Sequence, residues 1–387
     1  MKDLEIVDVA ALPCSVPMRY AVRLGLGLAT KREAVVVKVT TADGIVGWGE
    51  AHHARAPAAI AALINTTIRD LIIGLNASET VSIWNLINRN QLTTHGAGAA
   101  ASFALSGIDL ALWDIRGKAL GLPLYRLLGG SPSKIPAYAG GVSLGYQPPS
   151  ALVDEVIRHK EQGFRAVKLR IGDDVLADAA RVAAVRSAVG SATAIFTDAN
   201  TRFSVIQARQ ILPRLAELDV GWLEEPFAAN DAESYQRLGR HNGVPIAAGE
   251  NHYLASGFSL LIRQGIVDIL QPDVSKCGGI TEIMRIGALA HAHSLTVSPH
   301  VSVTGINFAA TIHVLASLST AQYFEADVSP GNGLRDELCS SPYELVDGWV
   351  IPPESPGIGV EVDEQFLSAH PLTPGPAFVP NSVLSNL

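Results

Sequence analysis

Over residues 1 to about 55 apolar and polar positions follow a period of two, as in "EAVVVKVTTADGIVGWGEA", where Asp43-Gly44 separates two apolar runs and marks a hairpin. From about 56 to 128 the spacing becomes helical, with three or so helices ending at the paired glycines of "LYRLLGG". From "IPAYAGG" onward, short apolar runs alternate with amphipathic segments such as "ADAARVAAVRSAVG" and "VIQARQILPRLAELD", the pattern of a parallel sheet. The strand candidates are "IPAYAGG", "AVKLRIG", "AIFTDAN", "GWLEEP", "IAAGEN", "DILQPDVS", "TVSPH" and "YFEAD". Eight βα units in about 215 residues predict a TIM barrel. The expected fold class is therefore α/β: a (β/α)8-type barrel over 131–350, an α+β domain over 1–130, and a Pro- and Gly-rich segment, 351–387, that folds back onto that first domain.

Composition narrows the partners more than the fold. Of 387 residues, 48% are hydrophobic and only 17% charged, with a formal net charge of −8. Such a chain can bury a large core in more than one domain. It carries no basic run and no basic patch interleaved with aromatics, so nucleic acid is not an expected partner. Cys14, Cys277 and Cys339 are odd in number and far apart, and read as ordinary thiols of a reducing compartment. The opening "MKDLEIVDVAALPC" reads as a first strand instead of a signal peptide. The most apolar stretch, "AGAAASFALSGIDLALWDIRG", holds Asp109 and Asp114 among small residues, which suits a packed helix better than a bilayer span. The expectation is a soluble, cytoplasmic protein without a membrane partner.

The candidate chemistry sits where barrel strands end. Asp198 closes "AIFTD", Glu224 closes "GWLE" and Glu250 closes "IAAGE", in steps of 26 residues. Neighbouring strands converge at the C-terminal face of a barrel, so three carboxylates are predicted to meet at its mouth. Left uncompensated they would repel strongly. A hard divalent cation resolves this, and all-oxygen ligation favours Mg²⁺, with Mn²⁺ also suitable. Asp273, His300 and Glu325 end the next candidates, at steps of 23, 27 and 25 residues. An aspartate beside an imidazole fixes its tautomer and raises its pKa, which suits His300 to act as general base and then acid. His241, His252, His291, His293 and His313 lack that setting and read as surface or core residues. In "AVKLRIG" the period of two turns Lys168 and Arg170 to one side, either as counter-charges across a cavity or as a structural ion pair.

These motifs resemble the enolase superfamily and, within it, the mandelate racemase and muconate lactonizing enzyme family. "ALSGIDLALWDIRGKALGLPLYRLLGG", "VKLRIG", "TDAN", "WLEEP", "AGEN", "QPDVSKCGG", "SPH" and "FE" stand in family order and span nearly the whole chain. Asp273, where the lactonizing branch has a lysine, places the sequence beside the mandelate racemase subgroup and its His/Asp dyad. The resemblance implies that the first domain caps the barrel, that Asp198, Glu224 and Glu250 hold Mg²⁺, and that the chain forms a homo-oligomer. It also implies removal of the proton α to the carboxylate of a small-molecule substrate. Such a proton is very weakly acidic, so metal and hydrogen bonds must stabilise the enediolate as it forms. Glu325, if protonated, would donate to the enediolate oxygen opposite the metal.

One position departs from the family, which usually shows Lys-x-Lys with the second lysine as a base. Here that position is Arg170, whose guanidinium stays protonated, and this weakens a two-base racemase. A single base still permits syn dehydration: His300 takes the α-proton and returns it to a departing β-hydroxyl, giving an enol that becomes a 2-keto-3-deoxy acid. Lys168 and Arg170 would then hold the substrate carboxylate or a hydroxyl. The alternatives are cycloisomerisation of a sugar lactone or anhydro acid, racemisation or epimerisation, and, in a different class, a non-catalytic barrel. The loops at about 17 to 31 and 50 to 57, which supply specificity in this family, offer Arg19, Tyr20, Arg23, His52 and His53 to hydroxyls or a distal carboxylate. A polar lid fits a sugar acid better than an aryl acid. Asn200, Asn251 and Lys276 are candidates to orient ligands or the dyad.

Overall fold

The computed structural model describes residues 4–24, 27–240, 243–340 and 343–380, excluding the side chains of 19–21, 23 and 24. The candidate side chains of Arg19, Tyr20 and Arg23, and His241, read as a surface or core residue, lie outside the described residues. Strands β1 (Ile6–Leu24), β2 (Gly27–Thr41) and β3 (Val46–Ala51) form an antiparallel meander. Its β2–β3 turn falls at Asp43-Gly44, where Gly44 takes φ +84° and the Thr41 hydroxyl donates to Asp43 at 2.6 Å. The valine run of β2 does not alternate with polar residues because both faces of the sheet are covered. Val35, Val37 and Val39 pack with Ile60, Ile64 and Ile108 of the cap helices. Ala34 and Val36 face the other way, into a core that joins Trp48 and Trp113 to the barrel. The helix Ala99–Leu120 lies directly on β3, where a Cβ on Gly49 would stand 2.1 Å from the carbonyl oxygen of Gly107. Only glycine permits that approach.

Eight parallel strands follow: β4 (Ile135–Gly140), β5 (Ala166–Arg170), β6 (Ala194–Asp198), β7 (Val220–Glu224), β8 (Ile246–Ala248), β9 (Ile269–Leu270), β10 (Thr296–Val297) and β11 (Phe324–Asp327). Each pairs with the next from β4 to β10, and β11 pairs with β4. A parallel bridge between Val297 and Ala321 joins β10 to the approach to β11 and closes the ring. The fold is thus α/β, a TIM-type barrel with an N-terminal α+β cap.

Among the described residues, helices fill the seven connections from β4 to β11. The eighth unit differs from the regular pattern. Among the described residues between β11 and β12 the one helix is the four-residue Gly333–Asp336; a hairpin of β12 (Leu345–Val346) and β13 (Trp349–Val350) follows, whose second strand pairs antiparallel with β4. The stretch "VSPGNGLRDELCSSPYEL" holds too many Pro, Gly and Ser residues to sustain an amphipathic helix. The end of the chain returns to the cap: β14 (Phe378–Val379) adds to β2, and Lys38 pairs with Glu364 at 2.7 Å.

Inside the barrel, inward-facing residues build a floor. Tyr138, Ala166, Phe196, Trp222, Ala247 and Ile269 form a buried cluster of their own, large against small, with Phe196 and Trp222 stacked at 3.5 Å. Two residues further along their strands come Lys168 after Ala166 and Glu224 after Trp222. A polar layer therefore lies immediately on the aromatic one, with the Lys168 ammonium 5.6 Å from the Tyr138 ring centroid.

Buried polar joints hold the cap over the barrel. Asp109 accepts from the Thr281 N–H at 2.9 Å and hydroxyl at 2.6 Å, while the Trp113 indole donates to Thr281 at 2.9 Å. Glu50, at the end of β3, accepts the N–H groups of Val303 and Thr304 at 3.1 Å each. Burial pushes the Glu50 carboxyl up to about 8, against the opposing pull of those hydrogen bonds. Among the described residues no helix is long and apolar enough to cross a membrane.

Candidate active site

His300 follows β10 at the barrel mouth. Its Nδ1 lies 2.7 Å from Asp273 Oδ2, and its Nε2 lies 3.0 Å from Glu250 Oε2. Asp273 is itself fixed, because its other oxygen accepts from the Ser275 N–H and hydroxyl, both at 2.7 Å, and from the Asn307 amide at 3.0 Å. Burial and the charge of Lys276 act against an imidazolium here, but Glu250 and Asp273 outweigh them and lift the His300 pKa above its ordinary value. Burial likewise works to raise Asp273, and the bond to His300 reverses the balance and holds it low.

The polar layer beneath is a lattice of opposite charges. Lys168, with a fully buried side chain, reaches Glu224 at 2.8 Å, Glu325 at 2.9 Å and Asp198 at 3.6 Å. Arg170 bonds Asp198 and the amide oxygen of Asn200, and its Nε donates to the Gly141 carbonyl at 3.0 Å. Gln271 donates to the second oxygen of Glu224 at 2.6 Å. Burial foremost, with the neighbouring carboxylates, pushes Glu224 up to about 7 despite Lys168. Burial also acts to raise Glu250 and Glu325. For Glu250, His300 and Lys276 prevail and hold it far below the usual carboxylate range; for Glu325, Lys168 and His300 prevail and lower it. In this arrangement Glu325 accepts from Lys168 through one oxygen, while its other oxygen, Oε2, is buried without a hydrogen-bond partner.

Above this layer opens a cavity of about 480 Å³, bordered by Arg170, Asn200, Glu250, Asn251, Lys276 and His300 from the barrel. His52 and His53 close it from the cap, with rings stacked at 4.3 Å. Asn251 donates to Glu225 at 2.8 Å and to Glu250 at 3.1 Å. Asp198, Glu224, Asp273, Glu325 and Lys168 stand behind this wall, nearly all inaccessible to solvent. Asp198 and Glu224 close β6 and β7, and Glu250 stands in the turn just past β8. Yet among the described residues no group of three or more His, Cys, Asp or Glu side chains is arranged to hold a metal ion. In this arrangement the three carboxylates are paired with the protein's own cations: Asp198 with Lys168 and Arg170, Glu224 with Lys168, and Glu250 with Lys276 and His300.

Residues 151–366 match the family described as Enolase C-terminal domain-like, and residues 6–129 match Mandelate racemase / muconate lactonizing enzyme, N-terminal domain. The chain belongs to the mandelate racemase and muconate lactonizing enzyme family. Within the enolase superfamily it is 33% identical to a D-galactarolactone cycloisomerase of Agrobacterium fabrum, over 87% of this chain and 91% of that protein. It is 32% identical to an arabinonate dehydratase of Saccharolobus solfataricus, over 85% and 88% respectively. A solved enolase superfamily member from Polaromonas sp. JS666 superposes with a TM-score of 0.94 at 48% identity, covering 97% of this chain and all of that one. A racemase from Streptomyces coelicolor A3(2), solved with bound magnesium, gives a TM-score of 0.87 at 30% identity, with 95% and 100% covered. The protein is an enzyme.

Members of the enolase superfamily bind Mg²⁺, and the residues of this family member fit such an ion. Six carboxylates, Asp198, Glu224, Glu225, Glu250, Asp273 and Glu325, surround three permanent cations, Lys168, Arg170 and Lys276. Oε1 of Glu225 and Oε2 of Glu325 are buried without a hydrogen-bond partner. Surplus negative charge with orphaned oxygens is what a hard divalent cation relieves.

Several contributors escaped the sequence reading. Glu225 stands beside Glu224 in "WLEEP", and its doubled acid was the available signal. Gln271 lies two residues before Asp273 in the segment that follows β9, and its place in "QPDVSKCGG" was the available signal. Asn307 and Glu50 act from the next helix and from the cap, and no local pattern marks them.

Proposed function

We propose that the enzyme removes the proton α to the carboxylate of a sugar acid and expels the β-hydroxyl as water, giving a 2-keto-3-deoxy acid. The observation that carries this is a single competent base on the cavity wall: His300, oriented by Asp273. Arg170 is committed to Asp198 and Asn200, and Lys168 is sealed among three carboxylates, so neither supplies a second base. His300 breaks the C–H bond and takes the proton while the electron pair moves into the substrate carboxylate. The imidazolium then returns the proton to the β-oxygen as its C–O bond breaks on the same face, and the enol tautomerises to the ketone. Asp273 holds the imidazole and stabilises its charge. The remaining guanidinium N–H of Arg170, with Lys276 and Asn200, steadies the substrate carboxylate. Asp198, Glu224 and Glu250 would hold the Mg²⁺, which when bound stabilises negative charge on that carboxylate.

Relatives named as a dehydratase and as a cycloisomerase support the two readings in turn. The second reading, opening of a sugar lactone or anhydro acid, follows from the cycloisomerase similarity, with a ring oxygen leaving in place of hydroxide. Incubating the enzyme with Mg²⁺ in D₂O against panels of sugar acids and their lactones distinguishes the readings. The expected result is deuterium at the α-carbon together with a 2-keto-3-deoxy acid. Lactone opening without loss of water assigns the cycloisomerase, and inversion at the α-carbon overturns a one-base site.

A further inference from the structure

The cavity is basic at both ends. Arg170 and Lys276 border it beside His300, while Lys31, Arg32 and Arg55 border it at the cap. Four of these five cations are matched by a carboxylate: Lys31 by Glu33 at 2.8 Å, Arg32 by Asp327 at 3.1 Å, Lys276 by Glu250 at 3.8 Å and Arg170 by Asp198. Arg55 has no carboxylate partner among the described residues. Its guanidinium lies over the Phe378 ring, 5.0 Å from the centroid. Stacking of this kind sets the guanidinium plane and leaves its N–H edge available for a planar anion.

The loop that carries Arg55 is built to present it. Ala54 and Arg55 take φ values of 49° and 57°, a conformation that residues with a Cβ adopt at a cost and that clusters at ligand sites. Two local bonds hold it: the Ala54 N–H donates to His52 Nδ1 at 3.1 Å, and the Arg55 N–H to His53 Nδ1 at 3.0 Å. An Nδ1 that accepts leaves the ring proton on Nε2, so each imidazole is an N–H donor at its far nitrogen. Burial foremost, then Lys276 and Arg55, pushes His53 down to about 3, and burial lowers His52 as well. The two rings therefore contribute hydrogen bonds and no charge. One permanent cation with two neutral donors suits a carboxylate flanked by hydroxyls.

We propose that Arg55 is a second anion subsite and that the substrate is a polyhydroxylated dicarboxylic acid, one carboxylate beside His300 and the other on Arg55. This rests on the proposed α-proton chemistry only for the reacting end. The cavity, at about 480 Å³, has room for a six-carbon chain.

The test is titration calorimetry on the full chain with Mg²⁺, in the His300→Asn background so that nothing turns over. The probes are two pairs, galactarate with galactonate and glucarate with gluconate, whose members differ by a carboxylate in place of a hydroxymethyl at C6. In at least one pair the diacid binds at least about 30-fold more tightly, as one charge-assisted contact provides. Arg55→Met reduces that preference to within about threefold, and Arg55→Lys retains part of it. Arg55 is exposed, so the thermal midpoint of Arg55→Met stays at that of its parent. Equal affinities within both pairs, no binding by any probe, or a preference that survives Arg55→Met overturns the proposal. The readout is binding, so a failure of the base assignment shows itself separately, as α-deuterium exchange that persists without His300.

Discussion

Replacement of His300 by asparagine abolishes deuterium exchange at the substrate α-carbon and stops product formation, with kcat lower by at least about 10³-fold. The size of the effect follows from the isolation of this imidazole. Its Nδ1 is held by Asp273 at 2.7 Å, and neither Lys168 nor Arg170 has a free basic form to substitute for it. Both cations are held above their ordinary pKa: burial works to lower them, but Glu224 and Glu325 prevail on Lys168, and Asp198 and Glu325 on Arg170. An amide at position 300 has no basic nitrogen, while the Asp273 contacts to Ser275 and Asn307 survive, so the variant remains folded. Measurement is by proton NMR in D₂O beside a keto-acid assay. Exchange that persists in the variant transfers the base to another group.

Lys168→Met lowers the unfolding free energy by about 3–5 kcal/mol, measured by denaturant titration with the metal chelated. Methionine preserves much of the packing over Tyr138 but leaves Glu224, Glu325 and Asp198 without the ammonium that they share. The deficit is larger at pH 8 than at pH 5. Removing Lys168 raises the folded-state pKa of Glu224, already about 7, and removes the chief counterweight to burial at Glu325. A carboxyl with a raised folded pKa contributes stability that is present below its unfolded value and lost as pH rises through the folded one. The Lys168 group itself titrates far above this window, so it adds no slope between pH 5 and 8. A deficit independent of pH contradicts this account.

The positions at which chemistry is carried were legible in the chain because a barrel repeats at a nearly fixed pitch. Asp198 and Glu224 close β6 and β7, Glu325 lies within β11, and Asp273 and His300 stand in the segments just past β9 and β10. Side-chain direction was legible too: alternate residues of "AVKLRIG" put Ala166 in the floor and Lys168 in the layer above it. What could not be read was depth. Whether a cation borders a cavity or lies under its wall depends on the size of the floor beneath it, and the stacked Phe196 and Trp222 belong to other strands. Lys168 and Arg170 meet on Asp198, yet only Arg170 borders the cavity. The missing eighth helix was signalled by Pro and Gly around 330, but the strong βα rhythm before it masked the change. Glu50 and Asn307 become visible only when the cap and the next helix are folded against the dyad. Arg55 was overlooked beside its paired histidines because its role depends on Phe378, more than three hundred residues away.

The most direct test of the account soaks crystals of the full chain with Mn²⁺ and records anomalous scattering. The account predicts one strong peak per chain, with oxygens of Asp198, Glu224 and Glu250 around it at about 2.0–2.2 Å and the His300 ring facing the same cavity. A chain without a peak at millimolar Mn²⁺, or with the ion bound away from those three carboxylates, contradicts it.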